Sequence, residues 1–180
     1  MKARGEKLLV AAHIDGSSRA TLLPFLPSTG SRILFDSTAL TKRYASESGR
    51  DRVLALFGEA GDLLVAAHCQ SEVASALLRC RREGHLPQGE FDRAWAAAQR
   101  DIADMVCIPM DRQVQRFAFA AMEYGALPAT DALHIGSALA ADVDLFVTAD
   151  PRQAKAAQGL GLQTELLGAE TKISRKQFLT

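Results

Sequence analysis

The chain has 180 residues, of which 48% are hydrophobic, and its 21 basic residues balance its 21 acidic residues. This length favours a single domain with a sizeable core. The neutral charge gives no support to a strongly basic nucleic-acid binder or an acidic disordered tail, so any nucleic acid must be held by local patches. The three cysteines are far apart and form no CxxC motif, which fits a reducing, cytoplasmic environment.

The first part of the chain differs from the rest in composition. Residues 1–30 contain several turn-forming residues and are expected to form an irregular extension, residues 31–168 a single domain, and residues 169–180 a tail. The apolar run at 8–12 is too short for a signal peptide. No segment approaches the roughly 20 apolar residues that span a bilayer, so no membrane association is expected.

From Arg32 onward, short apolar runs alternate with longer stretches of helical periodicity. The predicted strands are 33–35, 63–67, 106–108, 145–148 and 162–166. The predicted helices are 38–46, 50–60, 70–84, 88–104, 111–125, 130–141 and 151–159. The alternation predicts an α/β fold, a three-layer α/β/α sandwich around a mostly parallel central sheet of about five strands. In such sheets, ligands bind outside the carboxyl ends of the strands.

Acidic residues stand near the carboxyl ends of three predicted strands. Asp36 directly follows the first strand, and Asp150 follows the fourth. Glu72 lies one turn into the helix after the second strand. Asp131 opens a later helix with no strand before it, so its position at this edge depends on the fold. The four carboxylates are therefore candidates for one shared site.

Each of these acids also has a purely structural interpretation. Asp36, Asp131 and Asp150 each stand where a helix N-cap is expected, and Pro151 is a favoured first helical residue. Glu72 is a first-turn residue that the helix dipole favours. A cap at the end of a strand still points at the crevice, so the two interpretations are compatible.

The order of four motifs along the chain adds further information. They are LFDSTALTKRY at 34–44, SEVASALLR at 71–79, ATDALHIGSAL at 129–139 and FVTADPRQAKAAQGLGL at 146–162. Together they span about three quarters of the chain, and in this order they resemble the PIN-domain nucleases, in particular the VapC-like toxins of type II toxin-antitoxin systems.

The resemblance implies that Asp36, Glu72, Asp131 and Asp150 bind Mg²⁺ or Mn²⁺. Hard cations of this kind prefer carboxylate and water oxygens and suit an open site. A bound ion lowers the pKa of a coordinated water and neutralises charge on the scissile phosphate, so hydrolysis of RNA needs no Ser, Cys or His nucleophile. The family pattern implies products with 5′-phosphate and 3′-hydroxyl ends.

The resemblance also implies supporting residues and partners. Thr38 and Thr148 match hydroxyl positions beside the first and last acids, although Ser is commoner than Thr at position 38. The implied partners are an RNA substrate, with tRNA or rRNA as candidates, a cognate antitoxin whose C-terminal segment enters the acidic groove, and a second copy of the chain in a homodimer.

Several other side chains have an ordinary interpretation and a functional one. Lys42, Arg43, Arg79 and Arg82 are candidate RNA contacts, although solvated helix surface explains each of them as well. His134 lies three residues beyond Asp131 on one helix face. It is either a further candidate for a contact with the site or the RNA, or a satisfied, partly buried histidine. His68 and His85 have no ligand-spaced partners in the sequence, so no zinc site is expected.

Two alternatives to a nuclease remain open. A phosphatase of the haloacid-dehalogenase type would use Asp36 as a nucleophile, but it requires DxD, and residue 38 is Thr. An interaction module with the same fold and no relevant cleavage is the second alternative. The presence of all four acids argues against it.

Overall fold

A computed structural model describes residues 30–45 and 48–168. The predicted N-terminal extension and C-terminal tail lie outside these residues, apart from Gly30. Five strands are present: β1 (Ser31–Phe35), β2 (Ala60–Ala66), β3 (Val106–Ile108), β4 (Leu145–Thr148) and β5 (Thr164–Leu166). Seven helices occur in the described ranges: α1 (Ser37–Thr41), α2 (Arg50–Glu59), α3 (Cys69–Arg82), α4 (Gln88–Ala103), α5 (Arg112–Tyr124), α6 (Ala129–Ala141) and α7 (Pro151–Gly159).

The strands form one sheet in the order β3-β2-β1-β4-β5, and every neighbouring pair is parallel. The chain moves from β1 to β2 and β3 on one side and then returns to β4 on the other side of β1. The strand order therefore reverses between β1 and β4. A crevice forms at such a switch point, outside the carboxyl ends of the two strands.

Helices cover both faces of the sheet. Ile33 and Phe35 of β1 pack into a cluster with α1, α2, α3 and α4. Leu34, between them, points to the opposite face and packs with α5, α6 and α7. This alternation is the period of a strand whose two faces are both buried. The predicted three-layer α/β/α architecture with a parallel five-stranded sheet is confirmed.

The element bounds differ from the sequence prediction in a few places. The first helix was predicted over 38–46 but ends at Thr41. The second strand was predicted over 63–67 but begins at Ala60, directly after α2. Gly30 and Gly61 explain part of this early start, because a Cβ on either glycine would lie 2.7 Å or less from the backbone of the other. No helix within the described ranges is long and apolar enough to cross a membrane.

Candidate functional site

Asp36 lies at the end of β1, next to the switch point between β1 and β4. Its backbone N–H donates to the carbonyl of Val147 on β4, which continues the pairing of the two strands. Its carboxylate accepts from the backbone N–H of Ala39 at 2.7 Å, so it caps α1. The capping interpretation of Asp36 is therefore correct.

Two threonine hydroxyls hold the Asp36 carboxylate. Thr38 Oγ1 lies 2.9 and 2.7 Å from the two carboxylate oxygens, and Thr148 Oγ1 donates to Oδ2 at 2.7 Å. The same hydroxyls accept backbone N–H groups, Thr38 from Ala149 and Thr148 from Asp150, both at 3.0 Å. These contacts connect the loops after β1 and β4. The structure thus places both predicted hydroxyls beside the first acid.

The Asp36 side chain is fully buried. Burial raises the pKa of this carboxyl, although the His134 ring and the hydrogen bonds from Thr148, Ala39 and Thr38 oppose the rise. A buried carboxylate without a cation is costly, and a bound cation would offset that cost.

Asp131 and Asp150 lie close together on the other side of the crevice. Asp150 caps α7 by accepting the N–H of Arg152 at 2.7 Å. Asp131, in contrast, is not a cap, because α6 begins at Ala129 and Pro128 stands at the cap position. Its carboxylate is in the first turn of α6. The cap interpretation of Asp131 is therefore wrong, because the helix starts two residues earlier.

The guanidinium of Arg152 bridges these two acids. Its Nη2 lies 2.7 Å from Asp150 Oδ2 and 3.5 Å from Asp131 Oδ2. Its hydrogen bond lowers the pKa of Asp150. For Asp131, burial and the neighbouring charge of Asp150 raise the pKa and outweigh the attraction of Arg152. A positive charge thus already occupies the place where the two carboxylates converge.

Glu72 reaches the crevice from the first turn of α3 and is bound to a histidine. Its Oε2 lies 2.7 Å from Nε2 of His134 and 3.8 Å from Nε2 of His68. Burial opposes ionisation, but hydrogen bonds from His134 and Ser37 and the two histidine rings hold the pKa of Glu72 at about 2. Glu72 is therefore ionised at neutral pH.

The lowered pKa of Glu72 leads to an expected pH dependence. Because folding lowers this pKa from 4.5 to about 2, ionised Glu72 stabilises the fold above pH 4.5, and this contribution is lost as the pH falls through 2. We expect Glu72→Gln to lower the free energy of unfolding at pH 6, with a smaller difference at each step towards pH 2. Urea unfolding of both proteins in EDTA measures this difference. A difference that grows with acidification would contradict the assignment.

Sequence reasoning did not bring the histidines together. His134 reaches the site, because its Nε2 contacts Glu72. Its side chain is fully buried, so the prediction of an RNA contact at His134 is wrong. It is also not a fully satisfied histidine, because its Nδ1 has no hydrogen-bond partner among the described residues. His68 was thought to lack ligand-spaced partners, yet its ring centroid lies 4.3 Å from that of His134. The i,i+4 spacing of His68 and Glu72 was the only local signal. The third member comes from a helix 62 residues away from Glu72.

A groove of about 1070 Å³ leads away from the acids between α1, α3 and α4. Glu72 and Asp131 line one end. The predicted RNA contacts Lys42, Arg43 and Arg79 also line it, whereas Arg82 does not. Two further arginines that the sequence did not single out complete the basic lining: Arg50 and Arg93.

Arg43 has strong partners within the protein. Its Nε donates to Asp101 Oδ2 at 2.6 Å, and its guanidinium lies 4.1 Å above the ring of Phe57. These contacts fix Arg43 and neutralise its charge, so it stabilises the groove wall. Arg79 has an exposed side chain on the same groove and is the better candidate for a phosphate contact.

The sequence profile of the PIN domain family matches residues 33–159, more than two thirds of the chain. The chain belongs to the PIN domain family. No curated protein matched this PIN domain protein in a sequence comparison. Its four acids come from the motifs that carried the resemblance. Electrostatic interactions join Asp131 to Asp150 and Glu72, and join Asp36, Asp131 and Glu72 to His134, so the four carboxylates lie close together.

Solved structures with the same fold were also found. The chain is similar to PAE2754 from Pyrobaculum aerophilum, with a TM-score of 0.57, 15% identity and coverage of 77% of this chain and 92% of that one. It is also similar to FitAcB from Neisseria gonorrhoeae, with a TM-score of 0.55, 15% identity and coverage of 73% of this chain and 95% of that one. A third similar structure is VapC20 from Mycobacterium tuberculosis, described as a sarcin-ricin loop cleaving toxin. Its TM-score is 0.54 and its identity 14%, with coverage of 72% of this chain and 95% of that one. At these identities the likeness shows the PIN fold alone.

Proposed function

We propose that this PIN domain protein is an endoribonuclease that depends on Mg²⁺ or Mn²⁺. The observation that carries the proposal is the convergence of Asp36, Glu72, Asp131 and Asp150 on one crevice. The donor set fits such an ion, because it consists of carboxylate oxygens in an open site, and because a guanidinium already bridges two of the acids. The four acids would hold the ion.

The residues of the chain have separate tasks in this reaction. Hydrogen bonds from Thr38 and Thr148 hold the Asp36 carboxylate in place, and a contact with His134 holds Glu72. Arg79 and its basic neighbours hold the RNA phosphates along the groove. A bound Mg²⁺ or Mn²⁺ supplies a coordinated water of lowered pKa and positive charge beside the scissile phosphate. The four carboxylates would hold that ion next to the groove that the RNA phosphates enter.

A cleavage assay tests the nuclease proposal directly. Purified protein is expected to cut a labelled structured RNA in Mg²⁺ or Mn²⁺ and to stop when EDTA is added. Its products should carry 5′-phosphate and 3′-hydroxyl ends. Activity that persists in excess EDTA would show that these acids do not act through a divalent ion.

Arg152 is expected to compete with the divalent ion for Asp131 and Asp150. Because the Arg152 side chain is exposed, its interaction with Asp150 is modest, and Arg152→Ala should tighten Mn²⁺ binding by about three- to fivefold. Lys155→Ala, on the exposed side of the same helix, is the matched control and should leave the affinity unchanged. Electron paramagnetic resonance of free Mn²⁺ measures the Mn²⁺ affinity of both variants. Weaker binding by the Arg152 variant would mean that the arginine assists the ion.

We further propose that the protein is the toxin of a toxin-antitoxin pair in the cytoplasm. VapC20 is described as a toxin, and VapBC2 from Rickettsia felis was solved bound to a DNA fragment from its promoter. The three cysteines are free, which fits a reducing compartment. Expression of the chain alone should arrest growth, and co-expression of a small antitoxin should relieve the arrest. An equal arrest by the Asp131→Asn variant would separate toxicity from cleavage.

We also propose that the protein forms a homodimer. Phe119 and Met122 on α5 have exposed fractions of 59% and 38%, which are large for apolar side chains on a helix. A second copy of the chain would cover them. Light scattering should give twice the mass of one chain, and Phe119→Asp should shift it to the monomer value.

A further inference from the structure

The His68, Glu72 and His134 side chains form a cluster at one edge of the acidic crevice. Each offers one ligand atom, and these atoms all lie within 4.8 Å of one another. From this geometry we infer that the cluster, here named the His-Glu-His site, binds a transition-metal ion of the Zn²⁺ class. The site is separate in chemistry from the Mg²⁺ or Mn²⁺ centre, and the two share Glu72.

The distances are close to those of a metal site. Zn²⁺ binds imidazole nitrogen and carboxylate oxygen at about 2.0–2.1 Å in tetrahedral geometry, which places neighbouring ligand atoms about 3.3 Å apart. Glu72 Oε2 lies 2.7 Å from His134 Nε2 and 3.8 Å from His68 Nε2. The distance from Glu72 to His134 must lengthen and the distance from Glu72 to His68 must shorten, each by about half an ångström. Glu72 is partly exposed and has the rotamer freedom to make this adjustment.

The donor types favour a transition metal over Mg²⁺. Two imidazoles and one carboxylate, with a fourth position open to water, are a known ligand set of zinc sites. Imidazole suits Zn²⁺, Co²⁺, Ni²⁺ and Cu²⁺, whereas Mg²⁺ prefers oxygen ligands alone. Asp131 and Asp150 supply only oxygen. The two parts of the crevice therefore select different ions.

Proton positions must change when the ion binds. Ionised Glu72 accepts a hydrogen bond, so His134 Nε2 carries hydrogen when it donates to Oε2. The carbonyl oxygen of Thr130 also only accepts, so His68 Nε2 carries hydrogen in its 3.1 Å contact with that oxygen. The ion would replace both hydrogens, which either leave to solvent or move to Nδ1 of each ring.

His134 Nδ1 limits the affinity of the site. A histidine ligand usually donates its second ring nitrogen to a carbonyl or carboxylate, and loss of such a partner typically costs about 10- to 100-fold in affinity. Nδ1 of His134 is buried with no partner among the described residues. We therefore expect an exchangeable ion rather than a permanent structural one.

An ion at the His-Glu-His site would withdraw Glu72 from the Mg²⁺ or Mn²⁺ centre. This consequence rests on the proposed nuclease function. Zn²⁺ should then inhibit cleavage at concentrations that fill the site, even in excess Mg²⁺.

Cobalt absorption spectroscopy tests the site without any cleavage assay. The metal-free full-length protein is titrated with Co²⁺ in excess Mg²⁺, and visible bands of nitrogen-coordinated Co²⁺ are expected. His68→Gln and Glu72→Gln should each weaken Co²⁺ binding by about tenfold or more. His85→Gln is the matched control, because His85 is exposed and outside the cluster, and its affinity should equal that of the wild type.

Asp131→Asn separates this inference from the proposed function. The variant should bind Co²⁺ at least as tightly as the wild type, because Mg²⁺ then competes less for Glu72, but it should lose RNA cleavage. Absence of the Co²⁺ bands in the wild type, unchanged binding by both His68→Gln and Glu72→Gln, or loss of binding in Asp131→Asn would each overturn the inference. Retained Co²⁺ binding in a protein that cleaves no RNA would instead refute the nuclease proposal and leave the site in place.

Discussion

Asp36→Asn is expected to lower the rate of RNA cleavage by about a thousandfold. The substitution removes the negative charge at the end of β1 and leaves a neutral amide of the same shape. Metal-based charge stabilisation contributes several kcal/mol to a transition state, and each 1.36 kcal/mol is about tenfold in rate. Single-turnover cleavage of a labelled RNA in Mg²⁺ measures the effect. A rate within tenfold of the wild type would contradict the role of Asp36.

The fold of this variant should remain intact. Asparagine caps helices as well as aspartate does, so the bond from the Ala39 N–H is kept. The variant also removes the buried charge whose pKa is raised, but its amide nitrogen cannot accept the hydrogen that Thr148 donates to Oδ2. The two effects oppose each other, so the metal-free variant should differ little from the wild type in stability. Asp111→Asn is the matched control, since Asp111 caps α5 in the same way by accepting the N–H of Val114. It should leave the cleavage rate unchanged.

Gly136→Ala is expected to destabilise the protein strongly. A Cβ at Gly136 would lie 2.5 Å from the carbonyl oxygen of Val114 and 2.9 Å from the backbone nitrogen of Ala118, where α5 and α6 cross. Both contacted atoms belong to the backbone of α5, which cannot move aside as a flexible side chain can, so the two helices must separate. Overpacking of this kind typically costs about 1–3 kcal/mol, which lowers Tm by roughly 2–12 °C for a domain of this size.

Gly58→Ala should instead stabilise the protein. A Cβ there meets nothing within 4 Å, and alanine is favoured over glycine in a helix by up to about 1 kcal/mol. Thermal unfolding of both variants measures the contrast. Because α6 carries Asp131 and His134, the Gly136 variant should also lose cleavage. Equal stability of the two variants would mean that the helix crossing is not as close as the structure shows.

Most of the fold could be predicted from local patterns. The apolar runs Leu145–Thr148 and Val106–Ile108 are strands as predicted, because short buried segments between helical stretches have few other solutions. The start of β2 at Ala60 could not be predicted, because Ala, Gly and Asp are poor strand formers. Its pairing depends on the close approach of Gly30 and Gly61, which are far apart in the sequence.

The acidic residues were found by motif, but their partners were not. Arg152 joins Asp150, which caps the helix of Arg152, to Asp131 on α6. Only the contact with Asp150 is local in the sequence. Arg43 was predicted as an RNA contact, but its pairing with Asp101 depends on how α4 lies against α1. His68 and His134 meet only because α3 and α6 reach the same edge. Such long-range contacts leave no local periodicity, so local sequence patterns do not predict them.

Parallel measurement of Mn²⁺ binding and RNA cleavage tests the central claim most directly. The cleavage rate and the fraction of protein with bound Mn²⁺ are measured in one titration, for the wild type and for Asp131→Asn. The four-acid site predicts that both curves rise together in the wild type and that the variant loses both over the same range. Cleavage that reaches its full rate before Mn²⁺ binds, or that survives in Asp131→Asn, would contradict it.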